Sequence, residues 1–304
     1  MSAESRFLTL LRLLASDPAA QGLRDDVAIL PVGDARLVLT SDTLVEGVHY
    51  LPDDPPADIG WKLAAVNLSD LAGKGARPVG CLLNYALSGD DRWDAAFLEG
   101  LGTALERHAM PLLGGDTVRM PPGAPRSHAL TAIGMGGAHI PTRGGARAGD
   151  RLYLTGPVGD AGVGLDLART MPGAAGPLVD AYRRPRPRLA EGALLAPHVH
   201  AMMDVSDGLL IDAARMARAS GLAVVIDHIP LSPALEAARG ASTAVHMAAA
   251  RAGDDYELLF ALPPGAPPPV RAIPVGHFAA GSGLTLLIDG AVMPLPDRLG
   301  WEHD

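Results

Sequence analysis

Short apolar runs bounded by Gly, Pro or Asp alternate along this chain with stretches of helical spacing, a pattern that predicts a mixed α/β protein. In the first half the runs at 27–30 (VAIL), 36–41 (RLVLTS), 79–87 (VGCLLNYAL) and 127–137 (SHALTAIGMGG) predict strands. Segments 57–72 and 92–108 predict helices. Residues 139–150 (HIPTRGGARAGD) are rich in Gly and Arg and lack periodicity, and a fresh strand pattern, RLYLTG, follows them. That break predicts two domains, 1–138 and 149–304. In the second half AMMDV and LAVVID flank a helix predicted over roughly 208–219, YELLFAL reads as a further strand, and Asp289-Gly290 marks the turn of a closing hairpin. The Pro-rich stretch 264–270 reads as a stiff surface loop, and no tandem repeat is present.

With 304 residues, 48% of them hydrophobic and 19% charged, the chain can bury a substantial core in about two domains. A formal net charge of −9 with no run of lysines or arginines excludes the electrostatic footprint of a nucleic-acid binder. The same charge means that an anionic substrate would need metal cations to approach. No run is long enough to span a membrane, and SRFLTLLRLLASDP, with Arg6 and Arg12 inside it, fits an amphipathic helix rather than a signal peptide. The single cysteine, Cys81, lies in an apolar stretch; it reads as core, permits no intramolecular disulfide and favours a cytoplasmic setting.

The acidic residues share a grammar. Asp25 and Asp26 open one predicted strand, Thr40, Ser41 and Asp42 end another, and Gly114, Gly115 and Asp116 end a third. In MDVSDGL, Asp204 and Asp207 stand three residues apart with Ser206 between them and Gly208 behind. Asp70 is placed on a predicted helix beside Asn67 and Lys74 at helical spacing. Taken singly, each has a local reading: a strand-end turn for Asp42 and Asp116, a helix cap for Asp207, a solvated helix face for Asp70. Taken together, carboxylates beside Gly, Ser and Thr make an oxygen-rich site for hard cations, and in one cleft they would repel unless divalent metal held them. Magnesium keeps part of its shell for water and phosphate oxygens, so such metal implies a phosphate-bearing substrate. The P-loop, dinucleotide-fold and protein-kinase signatures are absent, as are a zinc-type cysteine pair and a G-x-S-x-G nucleophile.

The segments TSDTLVEGVHY, KLAAVNLSDLAGKGARP, LLGGDT, DVSDGL and GDDYELLF, in that order between residues 40 and 260, resemble the thiamine-monophosphate kinase family of the AIR synthase-like superfamily. The resemblance implies a two-domain AIR synthase-like fold: an N-terminal α/β domain whose sheet pairs with a second subunit in a homodimer, and a C-terminal α/β domain. It implies transfer of the ATP γ-phosphoryl group to thiamine phosphate, giving thiamine diphosphate, with several magnesium ions and no covalent nucleophile or general base. By motif position it places metal ligands at Asp26, Thr40, Ser41, Asp42, Asp70, Asp116, Asp204 and Asp207. ATP contacts fall at Gly115, Arg143 and Ser206, and thiamine phosphate contacts at His49, Asp254 and Trp301.

Elementary chemistry agrees with this expectation. A phosphate monoester has a second pKa of about 6, so the accepting oxygen is already anionic at neutral pH. The barrier lies in bringing two polyanions together, which is work for metal ions and in-line positioning. An aromatic face at Trp301 would attract the cationic thiazolium. Three local readings stay open beside these: Trp301 closing onto the core, His49 as a hydrogen-bonded strand-end histidine, and Arg143 solvated in its loop. The chain departs from the family pattern at Arg24, where Gly usually precedes the Asp pair, at Asp254, where Glu is usual, and at Trp301, where Tyr or Phe is usual. Selenophosphate synthase and the hydrogenase-maturation dehydratase would need a reactive cysteine near one terminus, and aminoimidazole ribonucleotide synthase a DGVGTK-like signature; none is present. A regulatory protein that kept the fold and lost turnover would be marked by a missing carboxylate, and every Asp position is filled.

Overall fold

The alternation read from the sequence unfolds into two sheets, seen here in a computed structural model that describes residues 3–302. The outer limits of the two predicted domains, residues 1 and 304, lie outside the described residues. The first half runs α1 (Ala3–Leu11), a 3-10 segment (Pro18–Leu23), β1 (Ala28–Val32), β2 (Ala35–Val45), α2 (Pro56–Gly73), β3 (Arg77–Leu87), α3 (Asp91–Arg107), β4 (Leu112–Arg119) and β5 (Ser127–Met135). The second half runs β6 (Arg151–Leu154), α4 (Asp160–Thr170), α5 (Pro177–Arg183), α6 (Leu189–Leu195), β7 (Ala201–Asp204), α7 (Leu209–Ser220), β8 (Ala223–Ile226), α8 (Pro233–Arg239), α9 (Thr243–Arg251), β9 (Leu258–Leu262), β10 (Ile273–Ala279), β11 (Gly283–Ile288) and β12 (Ala291–Met293). Sheet order is β1-β2-β5-β3-β4 in the first half and β12-β11-β8-β10-β6-β9-β7 in the second, both mixed. The hairpin predicted at Asp289-Gly290 joins β11 to β12, with φ of 52° and 77° at the two turn residues, the left-handed pair that a tight hairpin requires.

Two expectations are corrected. Asp42 and Asp116 do not end strands: β2 continues to Val45 and β4 to Arg119, because β-branched Thr43, Val45, Thr117 and Val118 keep the chain extended beyond the carboxylates. Strand β3, which holds VGCLLNYAL, is hydrogen-bonded between β5 and β4, and the exposed edges of this sheet are β1 and β4. The predicted N-terminal helix forms, but Phe7 and Leu10 on it are exposed, so its apolar side is not packed among the described residues. No helix of the described residues is long and apolar enough to cross a membrane.

Helix α2 positions the site. It is apolar on nearly every side, as suits a helix packed by the first sheet, α3, α6 and β7 together. Pro56 at its start costs no hydrogen bond there, Asp58 in the first turn suits the helix dipole, and Gly73 with Gly75 closes it. Cys81 is fully buried under it. The opposite face of the first sheet carries Ser41, Thr43, Leu82, Asn84 and Asp116, and no described element covers it; the edge strand β4 is exposed along its whole length.

The covered face also holds His128, fully buried and packed against the rings of Tyr85, Trp93 and Phe97, with neither ring nitrogen hydrogen-bonded. Burial pushes this imidazole down to about 4; Arg126 adds to the effect and Asp94 opposes it. An unfolded histidine takes up its proton near pH 6.5, so between pH 6.5 and 4 the unfolded state binds the proton and the folded state does not. Stability from this residue is therefore complete above pH 6.5 and is lost as pH falls, by about 2 kcal/mol between pH 7 and pH 5. Thermal melts at the two pH values should show His128→Phe losing less than the wild type; equal losses would refute the assignment.

Candidate active site

Three pieces of chain converge on the C-terminal half of α2: the loop before β1, the middle of β2, and the end of β7. Their meeting is organised by side chains at helical spacing. Asn67 Oδ1 accepts from the Asp42 backbone N at 3.1 Å, Ser69 Oγ donates to Asp204 Oδ2 at 2.5 Å, and Asp70 accepts from the buried Thr40 hydroxyl. Just past the helix the buried Lys74 ammonium lies 2.5 Å from Asp25 Oδ1 and donates to the Met202 carbonyl at 3.3 Å. The helical spacing of Asp70 and Lys74 thus does not make them a pair: the lysine turns to Asp25, which also accepts from the Arg143 backbone N at 3.0 Å. Asp25 holds the loop, and that leaves Asp26 to face the cleft.

The cleft has a volume of about 530 Å³ and is lined by Asp26, Asp42, Asp70, Asp204, Ser206 and Asp207, with His49, Asp254 and Trp301 on the same wall system. One ligand oxygen each from Asp26, Asp70 and Asp204 lies within 4.8 Å of the others. At that spacing each pair of unit charges would repel by about 3 kcal/mol in a surface-like dielectric. The protons respond accordingly. Burial, then the neighbouring Asp26 and Asp207, push Asp42 up to about 6; burial, then Asp26, push Asp204 up to about 8. Burial, with Asp42 and Asp204 beside it, holds Asp70 well above the usual carboxylate range. Asp26 goes the other way: desolvation opposes its charge, but the Arg143 guanidinium paired with it and Lys74 nearby outweigh that. An all-oxygen donor set of crowded carboxylates fits hard divalent metal, and Asp26, Asp42, Asp70, Asp204 and Asp207 are the residues that could hold it.

Asp207 does not cap α7. Gly208 occupies the cap position, and the Asp207 and Gly208 backbone N–H groups donate to Asp212 Oδ2 at 3.1 and 3.2 Å. Arg215 bridges the Asp207 and Asp212 carboxylates, a cation already resident in the cluster. Asp70 is not on a solvated face but half-buried against the other carboxylates.

The remaining predicted residues fall in two groups. Ser206 lines the cleft, and Arg143 reaches its margin through Asp26. His49 lines it with Nδ1 accepting from the Val45 N at 3.0 Å, so it is both hydrogen-bonded at its strand and turned to the cavity. Asp254 is held by Lys62 at 2.6 Å and Tyr256 at 2.9 Å. Trp301 is half-exposed on the cleft wall, its backbone N donating to the Asp207 carbonyl at 2.9 Å, so it does not close onto the core. Ser41, Gly115 and Asp116 lie apart. Strand alternation turns Ser41 to the uncovered sheet face, where its Oγ is 2.9 Å from Thr131 Oγ1. Thr43, Ala129, Asn84 and Asp116 form one register row across four strands, which puts the exposed Asp116 on that uncovered face about 14 Å sideways from Thr43. Gly115 presses on β3: a Cβ there would stand 1.8 Å from the Leu83 carbonyl oxygen.

Sequence reasoning passed over Lys62, Asp212, Arg215 and Tyr256. The charged residue inside the apolar run IGWKLAAV was the available signal, because a buried lysine needs a partner. Asp212 and Arg215 carried none, since both suit an exposed helix.

Residues 24–136 match the AIR synthase related protein N-terminal domain, and residues 147–288 match the C-terminal domain. The thiamine-monophosphate kinase of Caulobacter vibrioides is 36% identical over 312 residues, covering 96% of this chain and 87% of that protein. That of Escherichia coli K12 is 37% identical over 254 residues, with 80% and 76% covered. Among solved structures, AaThiL complexed with AMPPCP and TMP superposes with a TM-score of 0.88 at 27% identity, covering 100% of this chain and 99% of that one. Thiamine-monophosphate kinase from Stenotrophomonas maltophilia K279a gives 0.77 at 35% identity, covering 93% and 95%. The hydrogenase maturation protein HypE in complex with ATP, at 0.69 and 18% identity, covers 98% of this chain and 96% of that one and shares the fold alone. With both domains matched and relatives above a third identical along most of the chain, the protein belongs to the thiamine-monophosphate kinase family of AIR synthase related proteins.

Proposed function

We infer that this chain is a kinase that moves the γ-phosphoryl group of ATP onto thiamine monophosphate, giving thiamine diphosphate and ADP by direct in-line transfer. The observation that carries the reading is the convergence of Asp26, Asp70 and Asp204 in a cleft that also presents Ser206 and Trp301, within a chain of this family. Magnesium held by Asp26, Asp42, Asp70, Asp204 and Asp207 would supply charge compensation between two polyanions. The residues of the chain do the rest. The accepting phosphate oxygen is already anionic, so no side chain needs to remove a proton and none is assigned as a nucleophile. Asn67, Ser69 and Lys74 keep the carboxylates in place before substrate arrives, a form of preorganisation. Arg143 and Ser206 are assigned to the nucleotide, and His49, Asp254 and Trp301 to thiamine monophosphate. Incubation with ATP, magnesium and thiamine monophosphate, followed by chromatography, tests the reading; failure to form thiamine diphosphate would end it.

The domain boundary is assigned to the aperiodic loop between β5 and β6. A homodimer is proposed through the uncovered sheet face, supported by its exposed apolar residues Leu82, Leu113 and Val118 and by the unpaired edge of β4. It would bring Gly115 and Asp116 of one copy to the cleft of the other, a route by which Asp116 could serve a site that it does not line in its own chain. The reaction is placed in the cytoplasm, where ATP is available.

Trp301 is assigned to the thiamine ring system and not to the phosphates. Stacking and cation–π attraction act there on the substrate alone, at about 1 kcal/mol. Trp301→Ala should raise KM for thiamine monophosphate about fivefold and leave KM for ATP within about twofold. A rise in both would make the tryptophan a structural prop; no change in either would place the substrate elsewhere.

A further inference from the structure

Lys62 lies early in α2 and is almost fully buried, a costly place for an ammonium unless its charge and its donors are matched. They are matched by two residues of the cleft wall. Nζ lies 2.6 Å from Asp254 Oδ2 and donates to the His49 carbonyl at 3.0 Å, and it sits 4.4 Å from the centroid of the Tyr182 ring. Tyr182 is itself fixed: its hydroxyl donates to Asp54 Oδ2 at 2.6 Å and accepts from the Leu51 N at 3.1 Å. The second Asp254 oxygen accepts from the Tyr256 hydroxyl at 2.9 Å, and the Asp254 N donates to the Ser206 carbonyl at 2.8 Å. Burial, then the Asp254 carboxylate, push the Tyr256 phenol far up, so it remains a donor. Asp254 adopts φ of +67°, a left-handed conformation that a residue with a side chain keeps only when its surroundings hold it.

The geometry points to Lys62 as a positioning residue for the accepting substrate: by gripping Asp254 and the His49 carbonyl together, it orients the carboxylate that faces thiamine monophosphate and tempers its charge. The inference rests on the assignment of His49 and Asp254 to that substrate. The chemistry of the substrate makes the grip useful. One end is a cationic thiazolium with an aminopyrimidine that offers N–H donors, and the other is a phosphate dianion. A loose, uncompensated carboxylate would attract the first and repel the second. Held by Lys62 and Tyr256, each Asp254 oxygen has one lone pair engaged and one left to accept from an amine, while the net charge at that wall is near zero. Lys62 belongs to the first half of the chain and Asp254 to the second, so the same contact fixes the two halves of the substrate wall against each other.

Steady-state kinetics, with calorimetric binding of thiamine monophosphate in the absence of ATP, test this on the full chain. Lys62→Met should raise KM and the calorimetric Kd for thiamine monophosphate about tenfold, leave KM for ATP within about twofold, and change kcat less than KM. Adding Asp254→Asn to Lys62→Met should cost little more, because the pair acts as a unit. Lys62→Gln, which keeps two donors and loses the charge, should show a smaller rise of about threefold and decides the matter if Lys62→Met does not melt cooperatively. Equal rises in both KM values, or an unchanged thiamine monophosphate KM in Lys62→Gln, would overturn the inference. If Asp254→Asn alone raises that KM and Lys62→Gln does not, the inference fails and the substrate assignment stands. If Asp254→Asn also leaves it unchanged while the wild type forms product, the assignment of Asp254 fails and takes the inference with it.

Discussion

Asp42→Asn is expected to lower turnover by at least about a hundredfold at saturating substrates and magnesium, with a melting temperature no lower than that of the wild type. The substitution keeps size and shape, and the Asp42 backbone N still donates to Asn67. What it removes is a negative charge in a cleft where Asp26, Asp70, Asp204 and Asp207 also stand. In the metal-free protein that charge is a burden, since burial, then Asp26 and Asp207, push the Asp42 carboxyl up to about 6. Its loss should therefore relieve the fold and weaken only the binding of divalent cations. Turnover equal to wild type over a range of magnesium concentrations would sink the assignment of Asp42 as a ligand, whatever the melt shows.

The second large effect is expected from mixing two inactive variants. Asp116 sits on the uncovered sheet face, in the same row as Asn84, Ala129 and Thr43, and is not part of the cleft wall of its own chain. If Asp116 serves the cleft of a second copy, Asp116→Asn and Asp42→Asn should each lack activity as pure proteins. After subunit exchange a mixed dimer would combine Asp42 of one copy with Asp116 of the other and recover one intact site of two. An equal mixture should then regain about a quarter of wild-type activity, because half of the dimers are mixed. No recovery, although exchange is confirmed by light scattering and labelled subunits, would place Asp116 in its own chain's chemistry or in none. Full activity of Asp116→Asn alone would remove it from the site.

Much of this protein was legible residue by residue. The periodicities of α2, α3, β3 and β5 stand where the pattern puts them, because long regular apolar spacing leaves one way to bury the face. The Asp289-Gly290 turn needed only local dihedral preference. The motif order from TSDTLVEGVHY to GDDYELLF was enough to expect the family and its carboxylates. Other features could not be read locally. Polar residues such as Thr40, Ser41 and Asp42 look like a strand end when only the sequence is in view, yet β2 carries on, since a strand with one covered face tolerates polar side chains on the other and at the cleft.

Sequence alone determined the elements of regular apolar spacing, α2, α3, α7, β3 and β5 among them, whereas the helices α4, α5, α6, α8 and α9 were not read from it. It also determined which carboxylates are available, because regular spacing and side-chain chemistry are both short-range properties. The tertiary structure decided their partners. It sent Lys74 to Asp25 and not to its helical neighbour Asp70, put Gly208 and not Asp207 at the cap of α7, placed Lys62 under Asp254, and turned Asp116 away from the cleft. Each of those outcomes depends on the position of a buried or facing group far along the chain, and a charge removed from water is satisfied by whatever lies within hydrogen-bond reach in space, a distance that spacing along the sequence does not encode.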